Sequence, residues 1–317
     1  MTPRTKELLK AGGKLAVTLA LLAVSLRLVR LGTVWESLRH ARPGTLAAAG
    51  ALLALGGFAG AASWYCVLRT RLPELGYRTV AACHWKGMFF NSFLPSNVGG
   101  DVVKGYIVSR DQGQTGFVVA SLLVDRALNL GMLLSIGVFA FLLHLGHPFG
   151  ALAWVGLLGL GTAGGMTAAV RLRRRIQTWP QAGLRGKAAG WLVPVCDLAS
   201  TPRLLFPALL AALLSQVLKT WQNVFVVLAL GLAVPTGAVW YVIPVFGIVS
   251  ALPVSIGGLG VRELVAQWLS GPLAIDNTHL VTFSLASHLM VALVNMLGAL
   301  AFLRGRQRPP TPRADGT

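Results

Sequence analysis

Six apolar runs with few charges recur along the chain, at residues 15–26 (extended by 29–31), 46–68, 116–145, 151–170, 204–232 and 279–303. A helix needs about 20 predominantly apolar residues to cross the ~30 Å hydrocarbon core of a bilayer. Each run therefore predicts a transmembrane helix. Two further apolar stretches, 79–94 and 238–252, end differently. Each runs into a proline followed by a glycine pair: Leu94-Pro95-Ser96-Asn97-Val98-Gly99-Gly100 and Leu252-Pro253-Val254-Ser255-Ile256-Gly257-Gly258. Proline ends a helix, and paired glycines permit a sharp turn. Each stretch predicts a half-helix, a turn and a second half-helix that returns to its own side. Irregular backbone at membrane depth is tolerated only where protein or a water-filled cavity satisfies it.

The two turn motifs correspond at a constant shift of 158 residues. That shift places Ser92 on Ser250, Leu94 on Leu252, Pro95 on Pro253, Val98 on Ile256, Gly99-Gly100 on Gly257-Gly258 and Lys104 on Arg262. It also lays 46–68 on 204–226, and the segment from 115 corresponds to one from about 273. Each half reads helix, helix, re-entrant hairpin, helix. Three crossings per half is an odd number, so the second half is expected upside down relative to the first. The expected fold is an all-α integral membrane protein with six transmembrane helices and two re-entrant helical hairpins in an inverted repeat. Repeat one covers about 14–146 and repeat two about 150–304, within a single membrane domain 1–317 that carries a basic insertion at 171–203. Inverted repeats with broken helices near the midplane are a recurrent design of secondary transporters.

Composition agrees. Of 317 residues, 55% are hydrophobic and 12% are charged; soluble domains carry about 25% charged residues. The net charge of +18 would point to nucleic acid in a soluble protein. Here the basic residues sit in the connections, as the positive-inside rule requires, so no nucleic-acid partner is expected. Residues 1–14, 171–187 and the tail from Arg304 are basic, whereas the connections 144–150, 233–237 and 271–278 hold no Lys or Arg. Both termini are therefore expected in the cytoplasm, in the plasma or inner membrane. Arg39 and Arg42 run against the scheme, because they fall in a connection that must face outward. The apolar run near the N-terminus lacks a small-residue cleavage pattern and reads as a retained helix. Cys66, Cys83 and Cys196 show no metal-ligand spacing and read as packing residues.

Charges inside or beside apolar segments are costly and usually functional. Asp101 and Lys104 follow the first glycine pair, and Arg262 and Glu263 follow the second. Asp125 and Arg126 lie about ten residues into one apolar run, and Lys219 lies near the middle of another. Ser121, Asp125 and Asn129 form a polar stripe at helical spacing; so do Gln216, Lys219, Thr220 and Asn223, and Ser284, His288 and Asn295 share one side of the last helix. Such stripes face a bundle interior, since lipid cannot satisfy them. A half-helix beginning at Gly99-Gly100 or Gly257-Gly258, with Asn97 nearby, is expected to offer free backbone N–H groups to an anion. Lys104, Arg262 and Lys219 add positive charge. Together these residues suit a phosphate or phosphodiester headgroup. The alternative is that Asp101, Lys104, Asp125, Arg126, Arg262 and Glu263 pair with one another to hold the hairpins, and both roles can coexist. His84, His144 and His147 read as residues near helix ends.

The sequence contains no zinc spacing, Walker loop, Gly-x-Ser-x-Gly elbow or dinucleotide fingerprint. Neither enzymatic activity, a cofactor nor a metal is expected.

The segments Asn91-Ser-Phe-Leu-Pro-Ser-Asn-Val-Gly-Gly-Asp101, 121–126 and Leu252-Pro-Val-Ser-Ile-Gly-Gly-Leu-Gly-Val-Arg-Glu263 resemble the membrane domain of lysylphosphatidylglycerol synthases and its free-standing, flippase-like relatives. The resemblance covers roughly 14–304. It implies movement of a lipid between leaflets, by analogy with the domain that flips aminoacylated phosphatidylglycerol. Relatives of this size are linked to phospholipids, polyprenyl-linked sugars or hopanoids. The sequence ends at Thr317 without a soluble aminoacyl-transferase domain, so lipid aminoacylation is not expected and the substrate does not carry over. The expected function is flipping of an anionic lipid, phospholipid or polyprenyl-phosphate-linked. Two alternatives are an accessory subunit with a lipid-biosynthesis enzyme as partner, and a membrane-embedded transferase acting on a lipid phosphate.

Overall fold

The computed structural model describes residues 35–37, 39–92, 99–178, 192–193, 195–197, 200, 202–251 and 258–299. The run expected to form the first span, 15–31, and the turn residues 93–98 and 252–257 lie outside these. All regular structure among the described residues is helical. The longer helices are α1 (Pro43–Leu68), α2 (Tyr77–Asn91), α3 (Gly99–Gln112), α4 (Thr115–His144), α5 (Pro148–Gln177), α6 (Pro202–Ala229), α7 (Thr236–Ala251), α8 (Val261–Ser270) and α9 (Asn277–Asn295).

Local sequence explains the boundaries. Pro43 and Pro148 sit in the first turns of α1 and α5, where a missing N–H costs nothing. Asp276 caps α9, its carboxylate accepting from the backbone N–H groups of Thr278 (2.8 Å) and His279 (3.3 Å). Gly258 and Gly260 adopt φ of +84° and +83°, a region open to glycine, and so turn the chain into α8.

Five helical segments are long and apolar enough to cross a bilayer: Pro43–Leu68, Thr115–His144, Pro148–Gln177, Leu205–Ala229 and Asn277–Ala299. These match five of the six expected spans. The remaining helices are shorter. α2, α3, α7 and α8 hold 15, 14, 16 and 10 residues, or about 15–24 Å at 1.5 Å per residue, short of the ~30 Å hydrocarbon core.

Contacts sort the connections to two ends. At one end, the Arg42 N–H donates to Ala229 O (2.9 Å), and His144 stacks on Tyr241. The apolar residues Leu232, Val234, Val239 and Ile275 pack together there. At the other end, Asp197 forms ion pairs with both Arg71 and Arg173, and Arg71 lies over the Phe117 ring. The three connections without Lys or Arg share the first end, and so does Arg42.

α1 and α6 run antiparallel along their lengths. The start of α1 meets the end of α6 through Arg42 and Ala229. Their middles meet where Ser215 Oγ donates to Gly56 O (2.8 Å). Trp64 and Leu68 near the end of α1 pack with Ala208 near the start of α6. Shifted by 158 residues, Pro43 falls next to Pro202, Tyr77 next to Thr236, and Gln112 on Ser270. The packing follows the same correspondence. Exchanging α1–α4 with α6–α9 turns α2 on α3 into α7 on α8, α3 on α4 into α8 on α9, and α4 on α7 into α9 on α2. The pairs α1 with α2, α1 with α4 and α4 with α6 likewise become α6 with α7, α6 with α9 and α9 with α1. α5 stands outside this pattern and packs on α4.

Candidate functional site

A cavity of about 480 Å³ lies among the helices, with residues from α1, α2, α3, α4, α6, α7, α8 and α9 on its walls. Part of its polar lining comes from the expected stripes: Asp125 and Asn129 project from α4, Gln216, Lys219 and Asn223 from α6, and Asn295 from α9. On α9 the lining serine is Ser287, not the expected Ser284, and His288 is not among the lining residues. These stripes knit the helices together. Asn129 Nδ2 donates to Asp125 Oδ1 (3.0 Å), and Gln216 Nε2 donates to Asn129 Oδ1 (3.0 Å). Ser287 Oγ donates to Asn223 Oδ1, and Asn295 Nδ2 donates to Ser92 Oγ (3.0 Å).

On the side of the first glycine pair the charges form one network. Asp101 binds Lys104 Nζ (3.0 Å) and Arg126 Nε. Lys104 Nζ also lies 3.7 Å from Asp125 Oδ2 and 4.7 Å from the centre of the Trp64 ring, whose Nε1 donates to Ser121 Oγ (3.1 Å). Lys104 is buried, and two carboxylates and an aromatic face satisfy it, as a buried cation requires.

The side of the second pair is built otherwise. Glu263 is fully buried and accepts from the Gly260 N–H (2.6 Å) and from Ser284 Oγ (2.8 Å). Arg262, 9% exposed, lies over the Phe246 ring at 4.9 Å. Its Nε has no hydrogen-bond partner among the described residues.

Of the twelve residues singled out in the sequence, Asp101, Asp125, Arg126, Lys219 and Arg262 line the cavity, and Lys104 and Glu263 lie next to them in sequence or contact. Gly99 and Gly100 open α3, and Gly258 lies in the turn before α8. Asn97 and Gly257 fall outside the described residues. Two backbone N–H groups at these turns are already taken. The Gly100 N–H donates to Asn91 Oδ1 (2.7 Å), and the N–H of Gly260, the N-cap of α8, is taken by Glu263. The first turns of α3 and α8 already carry Asp101 and Glu263, so their partial positive charge has an internal partner. Side chains also bring positive charge to the cavity. Four cations, Lys104, Arg126, Lys219 and Arg262, face three carboxylates, Asp101, Asp125 and Glu263. Among the described residues neither Lys219 nor Arg262 is in an ion pair.

Sequence reasoning missed His84. It lines the cavity, and its Nδ1 lacks a hydrogen-bond partner among the described residues. Its position on a short helix made it look like an end residue. No group of His, Cys, Asp and Glu suited to a metal occurs among the described residues.

The family model for the lysylphosphatidylglycerol synthase TM region matches residues 13–299. The chain belongs to this family. No curated protein and no solved structure matches it. Family membership and five bilayer-length helices together make the chain a multi-pass membrane protein with a lipid-related role.

Proposed function

We propose that the protein moves an anionic lipid between leaflets, a phospholipid or a polyprenyl-phosphate-linked lipid, with its headgroup held in the central cavity. The observation that carries this reading is the excess of four cations over three carboxylates around a cavity of about 480 Å³, where neither Lys219 nor Arg262 forms an ion pair among the described residues. Excess charge held at membrane depth is costly, and an anionic headgroup would balance it. The polar lining around the two cations suits phosphate oxygens and hydroxyls.

The architecture supports transport over mere binding. In this reading the two halves form an inverted repeat, with α1 and α6 crossing antiparallel at its centre. The α2–α3 and α7–α8 pairs are re-entrant hairpins, and the run at 15–31 supplies a sixth crossing. Exchange of the halves' conformations would then open the same cavity to the opposite side. Both termini and the basic end around Arg71 and Arg173 face the cytoplasm, in the plasma or inner membrane. No catalytic step is assigned to the protein.

The test is leaflet exchange in liposomes holding the purified protein with fluorescent phosphatidylglycerol or, separately, a fluorescent polyprenyl phosphate. Exchange that Arg262→Ala abolishes supports the proposal. A folded protein that exchanges neither lipid overturns it, and moves the weight to an accessory role in a lipid-synthesis complex.

A further inference from the structure

A second cavity adjoins the headgroup site and differs in character. A groove of about 660 Å³ follows the seam between α3 and α4. The helices run antiparallel there, with Asp101 against Arg126 and Gly105 against Leu122. Val102, Gly105, Tyr106, Val119, Leu122 and Leu123 form its apolar wall, and Val102, Tyr106 and Leu123 are exposed on the outer surface. Asp101 and Arg126 line both this groove and the central cavity. A larger apolar hollow of about 810 Å³ among α4, α5, α6 and α7 has no lining residue in common with the central cavity.

Building on the proposed headgroup site, we infer that the α3–α4 seam is its lateral opening, where the hydrocarbon chain of the bound lipid lies. A lipid whose headgroup occupies the central cavity cannot draw its chain in after it. Each methylene placed among the polar groups there would lose its apolar surroundings. The chain must leave sideways through an apolar opening that meets the cavity, and the seam is such an opening. From Asp101 to Arg110 it runs nine residues, about 14 Å, with charge at its ends and apolar side chains between. Gly105 lets α3 pack closely on α4 at the floor of the groove, since a β-carbon there would stand 2.7 Å from Leu122 Cδ1. The Asp101–Arg126 ion pair stands at the junction of polar and apolar space. It must yield as the headgroup passes and re-form behind it.

The test blocks the seam after folding. Leu123→Cys is reconstituted, treated with a bulky lipophilic methanethiosulfonate, and assayed for exchange of fluorescent phosphatidylglycerol. The wild type and Leu157→Cys, on the exposed face of α5, receive the same reagent as controls, because Cys66 is partly accessible. Val119→Trp fills the groove without a reagent. The inference predicts at least a tenfold loss of exchange for modified Leu123→Cys, recovery on adding reductant, and no change in either control. Full exchange by both modified Leu123→Cys and Val119→Trp, with Arg262→Ala inactive, overturns the seam and leaves the headgroup site standing. Absence of exchange even in the wild type overturns both.

Discussion

The closest approach of α2 and α3 predicts a large effect from one methyl group. A β-carbon at Gly100 would collide with the backbone O of Gly87 and stand 2.6 Å from Asn91 Oδ1. The reciprocal position is equally tight, since a β-carbon at Gly87 would lie 2.7 Å from Gly100 O. A backbone carbonyl cannot turn aside as a side chain can, so Gly100→Ala must push the helices apart. Overpacking of this kind costs about 1–3 kcal/mol. Separation also breaks the Gly100 N–H bond to Asn91, and a buried donor left unsatisfied costs about 1–3 kcal/mol. Alanine's better helix propensity returns about 1 kcal/mol. The net loss is about 1–5 kcal/mol, read as a lower unfolding midpoint in detergent by tryptophan fluorescence. Gly164→Ala is the control, because nothing lies within 4 Å of a β-carbon there, and its midpoint should hold or rise slightly. Lipid exchange by Gly100→Ala should fall as well, since Asp101 and Lys104 move with α3. A Gly100→Ala protein that unfolds at or above the wild-type midpoint would refute the close packing of the two helices.

Three further outcomes follow from single contacts. Glu263→Ala leaves the Gly260 N–H and Ser284 hydroxyl without an acceptor and should destabilise by about 1–3 kcal/mol per donor; Glu263→Gln should cost less, because Ser284 can reverse its hydroxyl, and the order of unfolding midpoints checks this. Asp276→Ala removes the α9 cap and should cost about 1 kcal/mol at neutral pH. Slight burial works against the Asp276 carboxylate, yet the bonds from His279 and Thr278 outweigh it and hold its pKa below the ordinary aspartate value. The cap's contribution is thus present above the unfolded-state pKa and lost as pH falls through the folded-state one. The gap between wild type and Asp276→Ala should therefore close in acid, as unfolding curves across pH will show. Asp197→Asn breaks two half-exposed arginine pairs worth about 0–1 kcal/mol each, and the difference from wild type should shrink in high salt.

Much of this architecture was legible because membranes impose simple rules. Long apolar runs marked α1, α4, α5, α6 and α9, since a bilayer demands length and apolarity together. Pro95, Pro253 and the glycine pairs marked where α2 and α7 stop. Polar residues at helical spacing, such as Gln216, Lys219 and Asn223, marked the faces that meet at the cavity. What sequence did not reveal depends on distances between separate helices. Asn91 was visible within a motif, but nothing along the chain says that its carboxamide takes the Gly100 N–H. Glu263 reads as one of a charged pair with Arg262, yet its carboxylate turns back to Gly260 and across to Ser284. Cavity-facing His84 and the aromatic faces of Trp64 and Phe246 under Lys104 and Arg262 emerge only from packing. The seam between α3 and α4 has the same origin, since it is a property of two helices together.

Headgroup charge selectivity decides whether Lys219 and Arg262 serve an anionic lipid. Liposomes holding the protein would carry a fluorescent lipid with an anionic phosphatidylglycerol head or, with the same chains, a zwitterionic phosphatidylcholine head. If Lys219 and Arg262 await an anion, the anionic lipid exchanges at least tenfold faster, and replacing both cations with Met removes the difference. Equal rates for the two lipids in the wild type, or a preference that survives loss of both cations, would contradict the account.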